Sequence, residues 1–552
     1  MTTAFNPGFA LLVAALTIAA LPIGRGRVAT LALGLAAAGV CLLSPSFGVY
    51  GQLRLMGLSI ALYRLDALSA WFGLVGLIAA AALIVAVARA GARLEAAALT
   101  AYCGAVLTVI FSGDLAMFFL GWQLAALAVC ALVWAGRTET ARQTALVVFT
   151  QQSLAGALLL TAAAAAAALQ GAAAFERFEP GAFAGLLTLA AVLLTAGAPP
   201  VHLSVRDGIA RAGPGGFVAL AAITPLLVGY SVARGFAGET GLVTLGAVMA
   251  LAPVLPALID RAPRRMLAYL MFTQIGLILM AAGFGGAEGI VAAGVFAAVA
   301  CMSNLTLALA ILIYEARAQP FGPDAPFALG AIGIAVAGIA CVPGFGGHVG
   351  FVAAIDAASR EGAVWQGALV CVTVAGALLP IAVRLGARLI DLSPATVGRG
   401  DPNPQMLAAM ATGAVFVTFA GVAPGWAAGT LQPGLDLHAY GSDRLIMSAQ
   451  VVGGAAAALA LLSRWGLYPL NGASPTPDLD RLFTNWDIAR AIVPFGAIDK
   501  AVHDAVAPLT RAASGDHTPH DQDVSGDDAA SNLIALGLMM AFGVAWALVL
   551  AL

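Results

Sequence analysis

Long apolar runs separated by short polar stretches dominate the chain, and its charged residues fall mostly between those runs. Runs long enough to cross a bilayer as helices begin near Phe9, Ala29, Ser69, Ala96, Leu115, Leu146, Ala182, Phe217, Gly241, Met266, Gly289, Phe327, Ala363, Met406, Arg444 and Asn532. With about 20 residues needed per crossing, the pattern predicts an all-α polytopic membrane protein of about 14–16 transmembrane helices. Pro199 and Pro200 interrupt one run. Between Val342 and Ala358 the reading is ambiguous, because Pro343, Gly344, Gly346 and Gly347 can break a helix. Broken segments are tolerated at membrane depth when protein surrounds them.

Short loops set the orientation. Arg25/Arg27, Arg89/Arg93, Arg137/Arg142, Arg206/Arg211, Arg261/Arg264/Arg265, Arg317 and Arg384/Arg388 fall on one side. The other side receives fewer, chiefly Arg54, Arg64, Arg177, Arg234 and Arg360. The richer side is predicted to be cytoplasmic, which puts the N-terminus outside. Arg25 and Arg27 follow the first apolar run, the reverse of a cleaved signal peptide, so that run reads as a retained helix. The stretch 464–530 falls on the cytoplasmic side. Leu479, Leu482 and Phe483, then Ile498, Val502 and Val506, recur at near-helical spacing and predict a segment lying at the interface or along a neighbouring subunit. An acidic linker from Ala512 to Ala530 and a final span, 531–552, follow. His517 and His520 lie in that linker, and no metal site is expected there.

Composition sharpens the picture. Of 552 residues, 61% are hydrophobic and 10% charged, and the mean hydropathy is +0.95. A soluble protein of this size would need far more surface charge. The net charge of −2 says little about a partner, but no basic field or aromatic-interleaved patch is present, so no nucleic acid is expected as a partner. Lys500 is the only lysine, so no predicted span before the tail carries a lysine as proton carrier. Arginine is a poor substitute because it stays protonated. Cys41, Cys103, Cys130, Cys301, Cys341 and Cys371 lie in or beside apolar runs with no CxxC pair, and read as small buried hydrophobes. No flavin, haem or iron–sulfur motif is present, so no cofactor is expected.

Few polar residues lie within the runs. Asp66 and Arg64 can pair at an outer interface. Asp114 opens the run SGDLAMFFLGWQLAALAVC, where it can cap the following helix or handle ions. Gln123 lies deep in the same run beside Trp122. His202, Arg206 and Asp207 cluster just after the Pro199–Pro200 break; His202 can relay protons or be a loop histidine tied to Asp207. Arg264 and Arg265 sit at a helix start, an unfavourable end for bare cations, and are expected to pair with acids on another subunit or with anionic lipid. Thr273, Gln274 and Asn304 are polar but carry no charge.

Taken together, SGDL at Ser112–Leu115, PVHLSVRD at Pro200–Asp207 and DRAPRRMLAYLMFTQIG at Asp260–Gly276 resemble the antiporter-like membrane subunits of respiratory complex I and of Mrp-type cation/proton antiporters. The last is similar to the family signature DLKRLLAYSSxSQxG. LDRLF at Leu479–Phe483 and YGSDRLIMSAQ make the tail more similar to the D-type member of Mrp antiporters than to the complex I members. The resemblance covers most of the chain. It implies two inverted five-helix repeats, each with a broken helix, over 96–236 and 237–390. N-terminal helices over 1–95 precede them, and C-terminal helices over 391–463 follow.

It also implies which residues stand at the family's ion-path positions. Gln123 occupies the place of the membrane glutamate. Thr195, five residues before Pro200, stands for the broken-helix lysine, and Leu226 for the lysine of the next helix. Asn304 falls near the second repeat's lysine, and no histidine lies between His202 and His348 to accompany it. Neutral groups in these places remove a desolvation cost and the charge that drives proton exchange.

Three functions follow as expectations. One is a non-pumping, structural or coupling subunit of a larger assembly in the bacterial inner membrane, with other integral membrane subunits and lipids as partners. Such an assembly can be NADH dehydrogenase-like or hydrogenase-like, with this chain a non-catalytic member. The second is a subunit that conducts H+ or Na+ through water, Asp114, Gln123, Thr195, His202, Asp207, Gln274 and Asn304. The third is a membrane anchor of a redox or uptake complex.

Overall fold

The computed structural model describes residues 5–20, 26–43, 46–55, 58–87, 93–170, 174–360, 364–392 and 400–465. The expected amphipathic segment, the acidic linker and the span from Asn532 lie outside these residues. Helices α1 (Pro7–Ala20) and α2 (Gly26–Leu43) lead into a hairpin of β1 (Gly48–Leu55) and β2 (Leu58–Leu65), then α3 (Ala67–Val87). A first set of five crossings follows: α4 (Arg93–Ile110), α5 (Leu115–Trp134), α6 (Glu139–Gln170), the pair α7 (Phe183–Ala196) and α8 (His202–Arg211), and α9 (Pro214–Gly235). A second set comprises α10 (Gly241–Leu251) with α11 (Val254–Ile259), α12 (Pro263–Phe284), α13 (Gly286–Arg317), the pair α14 (Pro326–Ile339) and α15 (Gly346–Arg360), and α16 (Val364–Thr373) running through a π-turn into α17 (Leu379–Leu389). Helices α18 (Pro404–Val422), α19 (Pro424–Leu431), α20 (Ser442–Ser448) and α21 (Gly454–Arg464) complete the described chain.

The protein is a multi-pass integral membrane protein of mainly α structure. Among the described residues, 11 helical segments are long and apolar enough to cross a membrane, and four further apolar helices are shorter. The expected spans from Phe9 to Arg444 each meet a helix. In both sets of five the fourth crossing is split.

Burial follows from the apolar pattern. The apolar stretches of α9 and α12 are wholly enclosed, as expected for a helix segment without a polar face. Helix α13 forms the centre, packing on α9, α12, α14, α15 and α18. Glycines let two of these crossings close: a Cβ at Gly276 of α12 would lie 2.5 Å from the Gly246 carbonyl oxygen of α10. The 442–464 stretch lies at the periphery, mostly exposed.

The hairpin departs from the all-helical expectation. Its strands pair antiparallel, with Val49 opposite Arg64 and Tyr50 opposite Tyr63. Its second strand docks on the α4–α5 junction, where the Arg64 N–H donates to Phe111 O at 3.0 Å and the Gly113 N–H to Ala61 O at 3.2 Å.

Candidate functional site

Asp114 caps α5: its carboxylate accepts from the Met117 N–H at 2.8 Å and, across the junction, from the Ala61 N–H at 2.5 Å. It therefore ties the hairpin to a helix start. Asp66 plays the same part for α3. Its Oδ1 accepts from the Ser69 N–H at 2.9 Å while its own N–H donates to Ser69 Oγ at 2.8 Å, a reciprocal cap. Arg234, at the end of α9, pairs with Asp66 at 2.7 Å, and Arg64 pairs with it at 3.0 Å. Burial pushes the Asp66 carboxyl up, but the Arg234 hydrogen bond and charge, the Ser69 N–H and Arg64 outweigh it and hold the group at about 2.

The first split helix is built by Gly197, Pro199 and Pro200. Gly197 ends α7 in the left-handed region at φ 72°, where its N–H bonds back to Leu194 O. Several neutral polar groups gather around this break. Thr195 Oγ1 donates to Gln152 Oε1 at 2.8 Å, and Gln151 Nε2 donates to Leu194 O at 2.5 Å. Ser204 Oγ donates to Gln151 Oε1 at 2.5 Å. Gln152, Thr195, Trp122 and Thr224 line a cavity of about 30 Å³, room for a water molecule. Gln123 lies just outside it against Gly156, with its Oε1 buried and unpartnered. Leu226 is fully buried.

The charged residues after the break form a closed network rather than a loop. Arg206, expected among the loop arginines, is buried in α8. It pairs with Asp207 at 2.6 Å and donates to the Tyr269 hydroxyl at 2.7 Å. Arg211 pairs with the same carboxylate at 3.3 Å. The tie of His202 to Asp207, one of its two expected roles, is not made. His202 opens α8, its Nδ1 has no partner, and its ring stands edge-on to Phe272.

Arg264 and Arg265 correct a second expectation, because both find acids within this chain. Arg264 pairs with Glu315 at 2.7 Å and also donates to the Ala210 and Ala212 carbonyls, while Arg265 pairs with Asp260 at 2.7 Å. Those contacts satisfy cations at a helix start whose dipole disfavours them.

In the second set Asn304 Nδ2 donates to Gln274 Oε1 at 2.8 Å and to Ala221 O at 3.0 Å, joining α13 to α12 and α9. Both amides are buried, and Gln274 Nε2 and Asn304 Oδ1 remain unpartnered. His348 is the residue that sequence reasoning passed over. It lies near the start of α15, fully buried, beside the second break. Its Nε2 meets Ala439 O at 3.0 Å and its Nδ1 meets Ser448 Oγ at 3.0 Å. A carbonyl only accepts, so Nε2 carries hydrogen, and Nδ1 accepts from the serine when the ring is neutral. Both ring nitrogens thereby have a partner. The signal was present: a histidine directly after Pro343–Gly347, as His202 follows Pro199–Pro200. Gln151 and Gln152 were equally visible as polar residues inside an apolar run.

Fold and site together describe a polytopic membrane protein with two split helices, in which Thr195–Gln152 and Asn304–Gln274 form neutral buried contacts. Solved structures share this fold. A chain of the Mrp complex from Dietzia sp. superposes with a TM-score of 0.67 at 21% identity, over 81% of this chain and 100% of that one. A chain of the membrane-bound sulfane sulfur reductase (MBS), an archaeal respiratory membrane complex, gives 0.69 at 17% identity over 97% and 99%. A chain of respiratory complex I from Thermus thermophilus gives 0.65 at 20% identity over 81% and 99%. No family model and no curated protein sequence matches the chain.

Proposed function

We propose that this chain is an antiporter-like membrane subunit of a larger assembly, structural or coupling in role rather than an independent proton pump. The observation that carries the reading is that two buried contacts, Thr195 with Gln152 and Asn304 with Gln274, are made by groups that cannot change charge. The resemblance puts the family's lysines at Thr195 and near Asn304. Amides and hydroxyls there hold helices together without changing charge. The 96–236 and 237–390 units act as two inverted repeats, and the assembly resides in the bacterial inner membrane. The arginine-rich face is cytoplasmic and the N-terminus lies outside. Other integral membrane subunits, of the kind found in the Mrp, MBS and complex I assemblies, are its partners.

Gentle solubilisation of native membranes followed by affinity isolation of the full chain tests this. Recovery in a stable complex with other multi-pass subunits is the expected result. Recovery of the chain alone, with cation- or proton-exchange activity of its own, would contradict the reading.

A further inference from the structure

Two cavities outside the split-helix site share Glu95 and Ala135 in their walls. One is an apolar groove of about 270 Å³ between α1, α4 and α5, walled by residues such as Leu12, Ala101, Leu127 and Ala131. Leu16 on its wall is largely exposed. The other is a polar cavity of about 580 Å³ on the arginine-rich face, lined by Arg137, Arg211 and Arg264 around the α5–α6 and α8–α9 turns.

The charges in the polar cavity are unequal in availability. Arg211 is engaged by Asp207 and by Thr144, and Arg264 by Glu315. Glu95 Oε1 accepts from the Gly215 N–H at 2.7 Å, so that carboxylate is occupied in capping α9. The Arg137 guanidinium is exposed and has no acid partner among the described residues. It follows Gly136, whose added Cβ would lie 2.1 Å from Arg211 O, so the turn is pressed against the end of α8. Arg137 itself adopts a left-handed backbone at φ 57°, a conformation that non-glycine residues adopt at a cost. Beside it, Arg142 stacks 5.9 Å from the centre of the Trp134 ring, and Trp134 also lines the apolar groove. Tryptophan and arginine so placed mark headgroup level.

We infer that the two cavities form one binding site for an anionic phospholipid, with an acyl chain in the α1–α4–α5 groove and the phosphate in the polar cavity against Arg137. An apolar slot joined to a cationic chamber at the membrane boundary matches an amphiphile. Neither a free phosphate nor an apolar helix would use both halves. Bound there, the lipid bridges the N-terminal helix to the turns at the end of the first split helix.

The test uses the full chain exchanged into nanodiscs containing equal phosphatidylglycerol and phosphatidylcholine, with lipid retained through delipidating detergent measured by native mass spectrometry. Wild type is expected to retain phosphatidylglycerol preferentially. Arg137→Gln, at an exposed position that leaves the fold intact, should reduce that preference about fivefold, the worth of one basic residue near a membrane surface. Ala101→Phe with Ala131→Phe fills the groove and should abolish retention of both lipids. Equal retention of the two lipids by wild type, or retention unchanged by Arg137→Gln, would overturn the proposal. Displacement of the lipid by inorganic phosphate alone would also overturn it, by reducing the site to an anion chamber.

Discussion

The Thr195 hydroxyl donates to Gln152 Oε1 at 2.8 Å, joining the first half of a split helix to α6 through two neutral groups. A titratable side chain at this depth would need a partner of opposite charge or a water path. The threonine–glutamine pair needs neither, and it leaves the helix break in place as architecture.

Thr195→Val should therefore destabilise the protein without altering ion movement. The substitution leaves Gln152 Oε1 buried without its donor, a loss of about 1–3 kcal/mol. Thermal unfolding of the purified chain in detergent measures the cost. A variant as stable as wild type would mean that water replaces the hydroxyl.

The Arg206–Asp207 pair is buried on both sides, with side-chain exposures of 3% and 4%. Removing the acid strands the guanidinium beside Tyr269. Asp207→Ala should cost about 3–5 kcal/mol, while a surface pair lost elsewhere should cost little. Expression level and melting temperature report the difference.

Asp66 gives a pH dependence of known sign. Its folded-state pKa, about 2, lies below the ordinary 3.8. The group therefore contributes stability that is fully present above pH 3.8 and is lost as pH falls through about 2. Asp66→Asn should remove that acid-side slope and lower stability at neutral pH. Melting curves of both proteins between pH 5 and 2 are the measurement, and parallel curves would exclude Asp66 as the source.

Orientation is open to direct labelling. Thr138 precedes α6 on the arginine-rich face, and Gly181 lies in the loop after that helix has crossed. With the arginine-rich face cytoplasmic, Gly181→Cys should react with an impermeant maleimide in intact cells. Thr138→Cys should react only after permeabilisation. The reverse pattern would place the N-terminus inside.

The crossings were legible because an apolar run of membrane length has few alternatives. The first break was legible because two prolines remove donors and fix the backbone. The hairpin was not. Its alternation around Tyr50 and Gln52 is short, and its docking depends on Asp114, which lies 53 residues beyond Ala61 in sequence. Arg206 read as a loop cation because its partners, Asp207 and the distant Tyr269, become decisive only once α8 is packed against α12. His348 was passed over because the glycine-rich stretch before it left the second break unresolved. Its partners, Ala439 and Ser448, come from beyond four further helices, α16 to α19.

A single reconstitution tests the account most directly. The purified full chain, in liposomes loaded with a pH-sensitive dye, is challenged with a membrane potential and its proton flux compared with protein-free vesicles. Flux at the protein-free level is predicted, unchanged by Gln123→Ala or His348→Ala. Flux well above that level, abolished by either substitution in a protein that still folds, would contradict the claim that the neutral centres of this chain do not carry protons.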